Sequence, residues 1–180
     1  NVGTSGGYGL KSIIIDASKT LTLQDGDLNT KGVTFSDTTS RLLFGGNTAQ
    51  IIKITDVITS SGILELSGGA DRTITGAFGI LNSDFNTINI GGTGVNTFVG
   101  HSYFGTLAFS GASASQAVFG DGVNVTNSIS ATADSQILTF NATSTLTGGF
   151  DIAGKAVTIN LNSTSGDQTF TGAISNSVTS

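Results

Sequence analysis

His101 is the only histidine in this sequence, and cysteine is absent altogether. No histidine pair and no thiolate can therefore hold a metal, and a Ser-His-Asp triad would have to be assembled on His101 alone. The residue sits in Gly100-His101-Ser102-Tyr103, where an exposed loop histidine is the simplest reading. Carboxylates are the other candidates for chemistry. Glycoside hydrolysis needs two of them a few ångströms apart, and lyase chemistry needs an acid beside a base. Asp25-Gly26-Asp27 is the one close pair in sequence among the twelve acids, and a turn explains it.

Gly91-Gly92-Thr93-Gly94-Val95-Asn96-Thr97-Phe98 is similar to one nonapeptide of the calcium-binding β-roll. Asn96 stands where that motif has Asp, and a neutral amide is a weaker ligand than a carboxylate. The motif also occurs once, whereas the roll binds each ion between successive turns. A turn followed by a strand is the plainer reading. No helix follows Gly91-Gly92-Thr93-Gly94 and no lysine stands where a phosphate-binding loop needs one. Asn124-Val125-Thr126, Asn141-Ala142-Thr143 and Asn162-Ser163-Thr164 are glycosylation sequons of the kind that a chain rich in Asn, Ser and Thr contains by chance. Tyr8, Tyr103 and the phenylalanines would make a sugar-stacking platform if exposed, but interior placement is expected for Phe. The sequence thus assigns no catalytic, cofactor-binding or metal-ligating residue, and we expect the chain not to be an enzyme.

The elements that carry these residues are short strands. Thr20-Leu21-Thr22-Leu23, Ile63-Leu64-Glu65-Leu66, Thr87-Ile88-Asn89-Ile90, Ile137-Leu138-Thr139-Phe140 and Val157-Thr158-Ile159-Asn160-Leu161 alternate apolar with polar residues. Each therefore has one dry face and one wet face. Helix signals are nearly absent: Gly or β-branched residues interrupt every window of ten. Charged residues make up only 11% of the chain, against about a quarter in average globular usage. Ser, Thr, Asn and Gly must wet the surface instead. Disorder is disfavoured, because the net charge is only -5 and β-branched residues and Phe recur throughout. The seven basic residues are scattered through an acidic chain, which argues against nucleic acid. No apolar run approaches a membrane span, and we expect no membrane insertion of this segment.

A repeat organises the strands. Thr73-Ile74-Thr75-Gly76-Ala77-Phe78-Gly79-Ile80 returns as Thr145-Leu146-Thr147-Gly148-Gly149-Phe150-Asp151-Ile152, and Asn96-Thr97-Phe98-Val99-Gly100 returns as Gln168-Thr169-Phe170-Thr171-Gly172. Both copies are displaced by about 72 residues. The strand-ending glycines Gly76, Gly100, Gly120, Gly148 and Gly172 mark a shorter beat of roughly 20–30 residues, the range of solenoid turns. The spacing predicts an all-β chain forming a right-handed parallel β-helix, a β-solenoid, with irregular rungs of about 24 residues. Each rung would hold three short strands and three corners, and 72 residues would span three turns. A lone rung cannot bury its apolar face, but rungs stacked about 4.8 Å apart build a continuous dry interior. Phe78, Phe98, Phe119, Phe150 and Phe170 are the expected ladder in that interior. An antiparallel sandwich or barrel is the rival architecture, but it does not require the recurrence. No two acids lie 24 residues apart, as carboxylates stacked on neighbouring rungs would. Residues 1–180 are expected to be a single solenoid segment and a fragment of a longer repeat protein, with 1–9 a turn or frayed end.

Thr145-Leu146-Thr147-Gly148-Gly149-Phe150-Asp151-Ile152-Ala153-Gly154-Lys155-Ala156-Val157-Thr158-Ile159 resembles the autotransporter-associated β-strand repeat. In that repeat a Thr-x-Thr-Gly-Gly turn is followed by a short strand, a small-residue corner and a Thr-rich strand. The copy from Thr73 to Ile90 is similar, with Ala77 in place of the second Gly. The wider texture resembles the passengers of type V secreted surface antigens, including the rickettsial outer-membrane kind. The match covers about half the chain and rests on low-complexity motifs. The resemblance implies an extracellular, cell-surface segment of a Gram-negative bacterium, exported through a separate barrel. The function expected on that basis is structural, a rod or a building block of a surface layer or fibre, with self-association or other surface proteins as partners. The alternative is an adhesin passenger that binds a host cell, a neighbouring cell or a glycan, with Ser110 to Gln116 as the nearest candidate loop.

Overall fold

The computed structural model describes residues 2–3, 9–111, 114–163 and 166–176. Every pair of strands among the described residues is parallel, as expected for a chain that coils in one direction. The strands Leu28–Thr30, Gln50–Ile54, Arg72–Thr75, Val95–Phe98, Gln116–Phe119, Gln136–Phe140 and Val157–Leu161 stack into a seven-stranded sheet. A ten-stranded sheet runs from Thr20–Leu23 through Arg41–Phe44, Ile63–Leu66, Phe85–Ile90, Ser102–Phe109 and Val123–Ala131. It then divides, with Ser144–Leu146 and Gln168–Phe170 on one branch and Gly149–Asp151 and Ile174–Ser175 on the other. The first rungs carry a third face, formed by Ile13–Ile15 and Val33–Phe35 and extended by the Ile58–Phe78 bridge. In the middle rungs that face fuses with the second into the long strands Ser102–Phe109 and Val123–Ala131. The result is a β-solenoid of about 8 turns.

Alternation decides which side chains enter the coil. On the seven-stranded sheet Leu28, Ile52, Ile74, Phe98, Phe119 and Phe140 stand in one register column, all fully buried. On the larger sheet Leu42, Leu64, Ile88, Leu107 and Ile129 form another column. Each such side chain contributes about 1.5–3 kcal/mol by leaving water, and it needs the rungs above and below to do so. Close stacking also constrains the corners. A Cβ on Gly92 would lie 1.7 Å from the Gly68 carbonyl oxygen, so successive corner backbones approach closely only because that position is glycine.

The rungs are less regular than the sequence beat suggests. Thr20 is level with Arg41 and Thr87 with Thr106, whereas Ile63 is level with Thr87. Turn length thus varies between rungs and averages about 21 residues rather than 24. The 72-residue similarity consequently does not mark one axial position. Thr73 stacks on Thr97, then Val118, then Thr139, whereas Thr145 lies on the other sheet beside Asn124. The recurring motif is a local strand-and-glycine corner used on two different faces. The phenylalanine column divides for the same reason. Phe98 and Phe119 stack at 5.0 Å between ring centroids, and Phe140 continues the stack at 5.7 Å. Phe78 instead packs edge-on against Phe85, Phe150 is level with Ile129, and Phe170 with Leu146.

Candidate functional site

His101, Asp25 and Asp27 are brought to corners, where they fasten one rung to the next. His101 Nδ1 lies 3.0 Å from the Asp121 carbonyl oxygen, 20 residues ahead. Its ring is 5.0 Å from that of Tyr103, and Nε2 is buried without a partner. Asp25 accepts hydrogen bonds from the Asn47 and Thr48 amides and from Thr48 Oγ1. Those donors, the Thr48 hydroxyl first, hold its carboxyl below the usual range. Asp27 accepts from the Ile51 amide at 2.8 Å. The close acidic pair thus serves two separate contacts to the rung above. No group of three or more His, Cys, Asp or Glu side chains comes together among the described residues.

Asp71 accepts from the Val95 amide at 2.8 Å and Asp134 from the Ala156 amide at 3.0 Å, repeating the Asp27 contact on other rungs. A carboxylate at the corner thereby caps an amide at the start of a strand on the next rung. Asp37 is the most heavily hydrogen-bonded. It accepts from the amides of Ser18, Thr39 and Ser40 and from the hydroxyls of Thr39 and Ser40. These bonds, with Ser40 Oγ the strongest contributor, hold its carboxyl far below the ordinary value.

Asn96, the residue tested above as a calcium ligand, is buried. Its Nδ2 donates to the carbonyls of Gly94 and Gln116, and its Oδ1 faces Arg72 Nη1 at 3.5 Å. The motif therefore belongs to an interior polar column of Gln50, Arg72 and Asn96, which are in register on three successive rungs. Arg72 is 2% exposed. Its Nε donates to Gln50 Oε1 at 2.9 Å, its Nη1 to the Ala70 carbonyl at 3.2 Å, and its Nη2 to the carbonyls of Phe44, Gly46 and Ser67. Burial pushes the guanidinium down from its ordinary value, and the nearby Asp71 charge opposes that shift. This cluster is legible in the sequence only through alternation: the pattern that turns Ile74 inward also turns Arg72 inward.

Two surface features complete the map. The chain leaves the coil at 79–84, where Ile80 and Ser83 close a turn by paired backbone hydrogen bonds of 3.0 and 2.9 Å. Ile80 and Leu81 are exposed on it, Leu81 to 67%. This excursion has no counterpart in the sequence reading, whose candidate loop was Ser110 to Gln116. Residues 112 and 113 of that loop, Tyr8, and Thr164 of the third sequon lie outside the described residues. Asn141 and Asn162 are exposed and Asn124 is half-buried. Comparison with protein-family models, with curated proteins and with solved structures gives no match.

Proposed function

We propose that this chain is a structural solenoid segment of a secreted cell-surface protein, a rod that spaces or assembles rather than transforms. The observation that carries the reading is the unbroken stack of about 8 turns around one apolar interior. Its chemically equipped side chains, Asp25, Asp27, Asp37, Asp71, Asp134 and Arg72, are engaged in holding rung to rung. The resemblance of Thr145–Ile159 to autotransporter passenger repeats supports an extracellular location on a Gram-negative cell. Electron microscopy of the protein with its native flanks tests the assembly: ordered fibres or lattices are expected, and dispersed particles at all concentrations would overturn it.

A second reading, an adhesin passenger, is favoured by the 79–84 excursion, which displays Ile80 and Leu81 to solvent on a rigid support. Dispersed monomer that binds cells, and loses binding on Leu81→Asp, would select this reading over the first.

A further inference from the structure

We infer that Lys11, Lys31 and Lys53 form a binding site for a tetrahedral oxyanion, a phosphate or sulfate ester group. These are three of the seven basic residues of a chain with net charge -5, yet they line a single recess of about 360 Å³ together with Gly9, Leu10, Asn29 and Thr55. Stacking places them there. Leu10 is bridged to Thr30, so Lys11 and Lys31 are neighbours on adjacent rungs, about 4.8 Å apart at the backbone. Asn29 is level with Lys53. Lys53 is therefore one rung on and two residues back from the level of Lys31, about 8 Å away by the same spacings.

The backbone does not supply the donors. The Lys31 amide bonds the Leu10 carbonyl at 2.7 Å and the Thr55 amide the Thr30 carbonyl at 3.2 Å, while Thr55 Oγ1 donates to that same oxygen. The ammonium groups are what the recess offers an anion. Asp56 approaches Lys31 at 3.9 Å, with both side chains more than half exposed, so this loose pair leaves Lys31 able to turn to a ligand. No arginine lines the recess. Lysine binds phosphate as a point charge, and three such charges on adjacent rungs suit a multiply charged tetrahedral oxyanion better than a singly charged carboxylate. The inference goes beyond the structural role proposed above and does not depend on it.

Isothermal titration of the 180-residue protein at low ionic strength, with inorganic phosphate in one arm and glucose 6-phosphate in the other, tests the site. Binding in either arm is expected to weaken about two- to five-fold on each of Lys11→Gln, Lys31→Gln and Lys53→Gln, and to vanish in the triple variant. Binding of the ester alone assigns the site to an esterified ligand; equal binding assigns it to the oxyanion itself. Lys155→Gln, on a distant rung, is expected to leave binding unchanged. No heat in either arm, or equal losses from the triple variant and from Lys155→Gln, would overturn the inference. Lys11, Lys31 and Lys53 are exposed and Lys155 is half-buried, and an unchanged circular dichroism melt verifies that the variants fold.

Discussion

Arg72→Ala is expected to destabilise the solenoid by about 3–5 kcal/mol, the cost of leaving several buried oxygen acceptors without their donor and of losing the packing of a long buried side chain. The guanidinium serves six oxygen acceptors: the carbonyls of Phe44, Gly46, Ser67 and Ala70, Gln50 Oε1 and Asn96 Oδ1. Each buried acceptor left unpaired costs about 1–3 kcal/mol, but the total is smaller than that sum. Phe44 also receives the Ser67 amide, the Asn96 contact is long, and water can enter the space that Ala leaves. Arg72→Lys keeps the charge but reaches fewer of these oxygens, so an intermediate loss is expected. The assay is urea unfolding followed by far-ultraviolet circular dichroism, with hydrogen exchange to locate the damage. Protection should fall first on the rungs bearing Phe44, Ser67 and Asn96, because a solenoid is held by nearest-neighbour contacts. A shift below about 1 kcal/mol for Arg72→Ala, or identical values for Ala and Lys, would refute the reasoning that the fork organises this stretch of corners.

Gln136 is fully buried with neither amide atom partnered, so Gln136→Leu should stabilise by about 1–2 kcal/mol; a lower urea midpoint in the variant would sink that account. Asp37 is held below its unfolded value, so its contribution is complete above roughly pH 4 and is lost as pH falls through the folded value. Thermal melts between pH 7 and pH 2 should therefore show a steeper acid decline for the native protein than for Asp37→Asn, and parallel declines would contradict it. Phe119 stacks between Phe98 and Phe140, and Phe119→Ala should cost about 3–5 kcal/mol. Phe170, half-buried with one edge contact at 6.0 Å, should cost less than half as much on the same change, measured by the same denaturation.

Strand existence and facing were legible in the sequence because alternation is a local property. Ile74, Phe98 and Leu138 announce their inward direction through the Thr residues between them. Register was less legible. It depends on how many residues each corner consumes, and a Gly-Thr or Gly-Ser corner absorbs two residues more or fewer without changing the pattern around it. For that reason Thr145 looks equivalent to Thr73 but lies on another face. The expected five-membered phenylalanine ladder rests on those residues falling near equivalent points of the repeat. The real column runs Phe98, Phe119, Phe140, at successive intervals of 21 residues, and substitutes Ile74 and Ile52 below. Arg72 escaped notice because charge was counted as surface, although its place in the alternation was already that of a core residue.

The corner carboxylates explain how such uneven rungs remain stacked. Asp27, Asp71 and Asp134 reach amides 22 or 24 residues ahead, so the acid follows the length of its own rung. Carboxylates stacked on each other would recur at a fixed spacing, whereas Asp27, Asp71 and Asp134 are each paired with a backbone amide. Like charges on consecutive rungs would repel at about 5 Å, and an amide neutralises the need for a cation. Asp27, Asp71 and Asp134 all stand at one corner of the coil, ahead of strands of the seven-stranded sheet, but on non-consecutive rungs. The lysines at residues 11, 31 and 53 instead lie on consecutive rungs, gathering like charge at one place on the surface. Three neighbouring cations cost mutual repulsion, and that cost is offset once an anion binds among them.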